Sequence, residues 1–572
     1  MISPDTSPQE LAQGTWATVE PHYERLASQP IDDVDRWLSD WSLFEELLGE
    51  AGSRASVAYT GNTSDPALEE AHLRFARDIL PRAREQRVRL GRRLLATGHS
   101  PAPLATWLRK LRRQEELFRE ANVPLFGEVS AVSSAWQKLA AGLTADWDGR
   151  SLPLPALRVH GASADRAVRE RAFRLHLGAY AERRDEIADI FDELYRLRQR
   201  IAANAGFGNY RDYAHADKNR FDYTPADCER FHDAVERTVV PAIERLLARR
   251  GELMGLDRLR PWDGIDPLVG GADPLGRPPL QPFADADTLT ETAQGMFARV
   301  DPAFGEHFGT MRAESLLDLS SRPGKAPGGY CTGFPHSRRP FIFMNATGVD
   351  ADVRTLLHEA GHAFHAFETF ESQALLFLRH PGEEMGELAS MSMELLAAPY
   401  LGRDAGGPYE PADERRSRAA LLQDILSLLA HIATIDAFQH WIYTSGEGHD
   451  RDARDREWLR INDRFKPGID WRGLRDLRVA RWLGQPHLFR NPFYYIEYGI
   501  AQLGALQVWR NSLRDQSEAV AAYRTALSLG ATRSLPELYA AAGARLAFDA
   551  GTMGELVALV EEHLAEVADD RV

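Results

Sequence analysis

Apolar residues recur along most of the chain at helical spacing. Asp65 and Pro66 form an N-cap and first-turn pair ahead of Leu68, Phe75 and Ile79, which share one helical face until Pro81 is expected to interrupt it. Near the other end, Thr552 and Glu555 have the spacing of a capping box, followed by an amphipathic run through Leu556, Leu559, Val560 and Leu564. Between these regions, Met385, Leu388, Met391 and Leu395 mark the apolar side of a helix over Glu383 to Tyr400, with Glu387, Ser390 and Glu394 as its narrow polar stripe. Strand-like runs are few. Gly328 to Phe334 and Pro340 to Asn345 are the best, with a proline and basic turn between them. The pattern predicts a large, mainly α protein with one small β element near residues 310 to 345.

Residues Arg260 to Phe283 are rich in proline and glycine, so this stretch is expected to be a long crossing or a boundary. No repeat appears at solenoid periods. The 572 residues, 44% of them hydrophobic, suffice for at least one large core. A net charge of -16, with no long basic run against it, argues against nucleic acid as a partner. The start of the chain lacks the basic patch and apolar run of a secretory signal, and no window approaches 18 uninterrupted apolar residues. The expectation is a cytoplasmic protein with no membrane partner. Cys228 and Cys331 are the only cysteines, so a disulfide framework and a cysteine-based zinc site are not expected, and a metal is expected to use His, Asp or Glu.

The clearest chemistry lies in LLHEAGHAFHAF, Leu356 to Phe367. Residues four apart on a helix lie about 40° apart around the axis, so His358 and His362 can aim two imidazoles at one point. Glu359 lies about 100° round from His358, off the ligand stripe but able to reach a metal-bound water. The run from Arg354 to Phe370 has no proline, and Leu356, Leu357, Ala360, Ala363, Phe364 and Phe367 flank the imidazoles. Polar groups in such a buried helix need compensation, from a metal or from hydrogen bonds.

A catalytic tetrahedral site takes a third protein ligand and leaves the fourth position open. The metzincin pattern fails, because His365 and Glu368 stand where it needs Gly and His. A carboxylate from the following helix is the other route. Glu387 has the right separation, with Glu383 and Glu384 as competitors that also suit the helix dipole. Glu394 is better placed to accept an imidazole N–H, and His365 suits a structural or supporting role.

With HEAGHAFH followed by GELASMSMELL, the chain resembles the thimet oligopeptidase and oligoendopeptidase F family of zinc metallopeptidases. The likeness extends through LRPWD (Leu259 to Asp263), GRPPLQPF (Gly276 to Phe283), RPGKAPGGYCTGF (Arg322 to Phe334) and PHLFRNPFYYIEYGIAQLGALQ (Pro486 to Gln507), all in the manner of the oligoendopeptidase F branch. It implies one zinc ion per chain on His358, His362 and Glu387, Glu359 as general base, and His487, Tyr495 and Tyr498 facing the substrate. It also implies a two-lobed helical fold with a deep central channel and one small β-sheet beside the active-site helix. Residues 1–190 would form a helical N-terminal region, and 191–572 the catalytic region, with interleaved lobes. The substrates implied are short unstructured peptides. A dipeptidyl carboxypeptidase, a non-catalytic helical peptide-binding protein and an amidase remain as alternatives. Asn491 and Pro492 look like a cap for a helix with Tyr495 and Tyr498 on one face, although Tyr494 and Tyr498 also share one.

Overall fold

The computed structural model describes residues 6–265 and 271–567. Helices dominate, as the apolar spacing predicts, and the described residues fall into two compact units, each assembled from three stretches of chain. The border between Leu280 and Gln281 lies in the proline- and glycine-rich stretch, of which residues 266–270 lie outside the described residues.

The first unit holds the described residues up to Glu116, together with Gln281–Glu414 and Gly504–Leu546. Asp65 caps the helix Pro66–Arg74 by accepting from the Ala67 N–H at 2.9 Å. Pro81 does not end the run. A π-helical turn over Phe75–Ile79 leads directly into Leu80–Ala96, placing Pro81 in a first turn, where its missing N–H costs little. Trp41, Trp107 and Phe377 anchor a core here, with ring centroids 4.3 to 5.7 Å apart.

The second unit holds Leu117–Leu280, Arg415–Leu503 and the described residues from Ala547. It carries a hairpin that the apolar pattern did not suggest, β1 (Thr144–Trp147) and β2 (Arg150–Pro153), joined by Asp148 and Gly149 with φ of 55° and 78°. An Asp-Gly pair of this conformation matches the twist of a tight hairpin. Its last helix, Ala550–Val567, starts three residues earlier than the Thr552 reading requires, because Asp549 accepts from the Thr552 N–H and is the cap. Helix Pro411–Thr444 is long and apolar enough to span a bilayer, but its apolar window is 78% buried in protein.

In the first unit, β3 (Leu317–Ser320), β4 (Tyr330–Phe334) and β5 (Arg339–Ala346) form a sheet in the order β3-β5-β4. β4 pairs antiparallel with β5, and β3 pairs parallel with it. The two strands read from the sequence are therefore the central and one outer strand. The helix Asp350–Ser372, which carries the HEAGH motif, packs on β4 and β5 and against the helix Glu383–Ala397.

Candidate metal centre

The motif helix is fixed at its start by Asp352, whose carboxylate accepts from the backbone N–H groups of Thr347, Gly348 and Val349 at 2.7 to 3.0 Å. An acidic group there also suits the helix dipole. Phe364 holds the buried face, stacked on Phe304 at 4.7 Å and edge-on to Phe297 at 4.9 Å. The chain then turns at Gly382, whose φ of 147° is readily available only to glycine, and returns as the Glu387 helix. Gly361 lets the two helices touch. A Cβ there would lie 2.5 Å from Ser390 Cα and 2.7 Å from the Ala389 carbonyl oxygen, so a side chain would drive the helices apart.

This close approach brings His358, His362 and Glu387 together, one donor atom from each lying within 4.8 Å of the others. Glu387 Oε2 is 3.4 Å from His358 Nε2 and 3.7 Å from His362 Nε2. A tetrahedral zinc site with bonds of roughly 2.0–2.1 Å has ligand–ligand edges of roughly 3.3–3.4 Å, so the spacing fits such an ion. The far sides of the donors are also held. Glu394 Oε1 accepts from His358 Nδ1 at 2.8 Å, His362 is hydrogen-bonded to the Gly386 backbone, and Ser390 donates to Glu387 Oε2 at 3.2 Å. Outer partners of this kind fix ring orientation in metal sites. Both imidazoles retain 25% side-chain exposure, which leaves the cluster accessible on one side.

Burial disfavours a charged His358, but Glu387 and Glu394 outweigh it and hold its pKa well above the ordinary value. Burial, with the His358 charge beside it, pushes His362 down to about 4 and leaves its lone pair free for a ligand bond. Glu359 is buried and pushed up to about 7 by desolvation; His358 opposes this, and the Glu387 carboxylate adds to it. A backbone hydrogen bond from Cys331 on β4 also reaches Glu359, a contact that no sequence motif announced. His365 is buried, its Nε2 has no hydrogen-bond partner, and burial lowers its pKa to about 3. It stands outside the donor cluster, as do Glu383 and Glu384.

His487, Tyr495 and Tyr498 belong to the second unit, where their rings form a cluster. The His487 centroid is 4.6 Å from Tyr495 and 6.3 Å from Tyr498, and the two tyrosines are 6.0 Å apart. Tyr494 joins the group at 5.0 Å from Tyr498 and 5.6 Å from His487. The Asn491-Pro492 cap is not formed. Asn491 closes the short helix Pro486–Arg490, Phe493 takes φ of 62°, and the next helix begins at Tyr495. The left-handed residue redirects the chain, so the helix starts later than the cap pattern predicts. Burial pushes the Tyr495 hydroxyl up to about 12, keeping it a proton donor.

A helical pair presenting two imidazoles, a carboxylate and an adjacent acid is the arrangement of an HExxH-type metal centre. The profile of peptidase family M3 matches residues 159–556, and the chain belongs to that family. It is 22% identical over 387 residues to oligopeptidase PepF of Bacillus subtilis (strain 168), covering 65% of this chain and 53% of that protein. It is 20% identical over 394 residues to the plasmid oligoendopeptidase F of Lactococcus lactis subsp. cremoris, covering 67% of this chain and 60% of that one. The chain thus matches little more than half the length of these curated relatives. Among solved structures, PZ peptidase A with inhibitor 2 is similar with a TM-score of 0.87 at 25% identity, covering 97% of this chain and 98% of that one. Oligoendopeptidase-F from Enterococcus faecium shares the fold with a TM-score of 0.63 at 14% identity, covering 96% and 97%.

Proposed function

We propose that this protein is a zinc-dependent oligoendopeptidase of the cytoplasm that hydrolyses peptide bonds in short unstructured peptides. The observation that carries this reading is the convergence of His358 and His362 on Glu387, at 3.4 and 3.7 Å from its Oε2, with Glu359 next to the first ligand. Family membership and the likeness to oligopeptidases support it. Zinc on these residues would supply a water of lowered pKa and a positive charge that polarises the scissile carbonyl.

Glu359 takes the proton of the attacking water and passes it to the leaving amine nitrogen. A buried carboxylate next to the first ligand is placed to accept that proton and to return it. Glu394 holds His358 in the tautomer that keeps Nε2 available, and Ser390 steadies Glu387. Tyr498, assisted by Tyr495 or His487, donates to the carbonyl oxygen as charge gathers there, an interaction worth about 3 kcal/mol of barrier. The outer strand β4 receives the peptide backbone as an added strand, which selects extended substrates over folded ones.

A pure peptide-binding protein has no use for Glu359. The distinguishing experiment is Glu359→Gln, which is expected to retain zinc and lose peptide hydrolysis. Full hydrolysis by that variant would refute the assignment.

A further inference from the structure

The second unit holds another cluster with donor chemistry, which the peptidase reading does not use. His215 lies in the last turn of the helix Tyr210–Asp217, Cys228 in the first turns of Pro225–Met254, and His440 near the end of Pro411–Thr444. One donor atom from each lies within 4.8 Å of the others, and all three are buried: Cys228 is 0% exposed, His215 and His440 5%.

The surroundings are those of a built site. Asp436, 0% exposed, lies one turn before His440, with Oδ2 3.3 Å from His440 Nε2. The same oxygen is hydrogen-bonded at 2.9 Å to His232, one turn after Cys228, while Asp436 Oδ1 has no hydrogen-bond partner. Arg220 donates to His215 Nε2 at 3.0 Å, and His215 Nδ1 is left buried without a hydrogen-bond partner. His440 is in contact with Asp436, with the Cys228 thiol and with the half-exposed Glu229, whose carboxylate lies 3.7 Å from Nδ1, longer than an ordinary hydrogen bond. Unpaired polar atoms concentrated in a protein interior are costly, and a cation among them removes that cost.

We propose that Cys228, His215 and His440 form a second cation site, taking a thiophilic metal of the zinc or copper class through one sulfur and two imidazole nitrogens. Such a donor set selects soft or borderline cations over magnesium and calcium. The position of Cys228 near a helix N-terminus favours the thiolate, against a burial that otherwise keeps the thiol protonated. Asp436 then orients His440 from its outer nitrogen, as carboxylates do for metal-bound histidines. Ligation releases the Cys228 proton, because the thiolate is the form that binds a metal. His215 ligates through Nδ1 once its proton moves to Nε2. That move displaces one Arg220 contact, while Glu497 and the Phe493 carbonyl keep their hold on the same guanidinium. The proposed site would add a cysteine to the His, Asp and Glu expected as metal donors.

The test strips the full chain of metal and titrates it with Co2+. Cobalt bound to a thiolate shows an intense near-ultraviolet sulfur-to-metal band that a site of imidazoles and carboxylate lacks. Two cobalt ions per chain with this band are expected for the wild type and for Cys331→Ser, and one ion without the band for Cys228→Ser. Absence of the band from Cys331→Ser, in which Cys228 is the remaining thiol, overturns the proposal. Because that variant keeps the whole cluster, it decides the question even where Cys228→Ser does not fold.

Discussion

The two histidine clusters differ in how the chain builds them. His358, His362 and Glu387 come from two consecutive helices that touch through Gly361, and their imidazoles retain a face open to solvent. His215, Cys228 and His440 come from three helices spread over 226 positions of sequence, counted from 215 to 440, and are sealed in the interior. An exposed cluster with a neighbouring acid can turn over substrate. A sealed one gives a substrate no such access. The lesson is that donor identity does not distinguish catalysis from structure, whereas access and an adjacent proton carrier do.

The largest break in this comparison is expected from Glu359→Gln. Peptide cleavage should fall by about 10²–10⁴-fold, the usual worth of a general base, with bound metal unchanged by elemental analysis. Tyr498→Phe removes a proposed oxyanion donor and should lower kcat by about 10²–10³-fold, with smaller change in KM, in steady-state assays on a fluorogenic peptide. Glu394→Gln keeps the ring contact but weakens the acceptor for His358 Nδ1. Metal affinity, read by competition with a chelator, should drop by about 10–100-fold.

Two substitutions contrast the clusters through stability. Asp436→Asn removes the buried carboxylate that holds both His440 and His232 and should cost about 3–5 kcal/mol in denaturant unfolding, while the folded fraction keeps its turnover per bound zinc. Gly361→Ala should cost about 1–3 kcal/mol by overpacking the helix contact, and should weaken metal binding as well, because that contact sets the Glu387 spacing. A stability loss without a metal effect would separate the close approach from the site.

The same contrast explains how much was readable in the sequence. The HEAGH helix and the Glu387 stripe follow from helical periodicity, a short-range property, and the structure brings together the donors that this spacing suggested. β4 and β5 were legible as apolar runs. The Cys228 cluster was not, because no local pattern records that His215, Cys228 and His440 converge. Caps also misled where a competitor lay nearby: Asp549 supplants Thr552, and the left-handed Phe493 delays the helix after Asn491. Pro81 does not break the run because it falls in the first turn of a new helix, and the π-helical turn that precedes it leaves no signature in apolar spacing.

The most direct measurement of the central claim is mass-spectrometric cleavage of a defined peptide mixture by the purified chain, before and after chelation, with zinc quantified in each sample. The account predicts internal cleavage of short peptides that stops on chelation and returns when zinc is restored. Cleavage that persists undiminished in protein shown to hold no metal would contradict it.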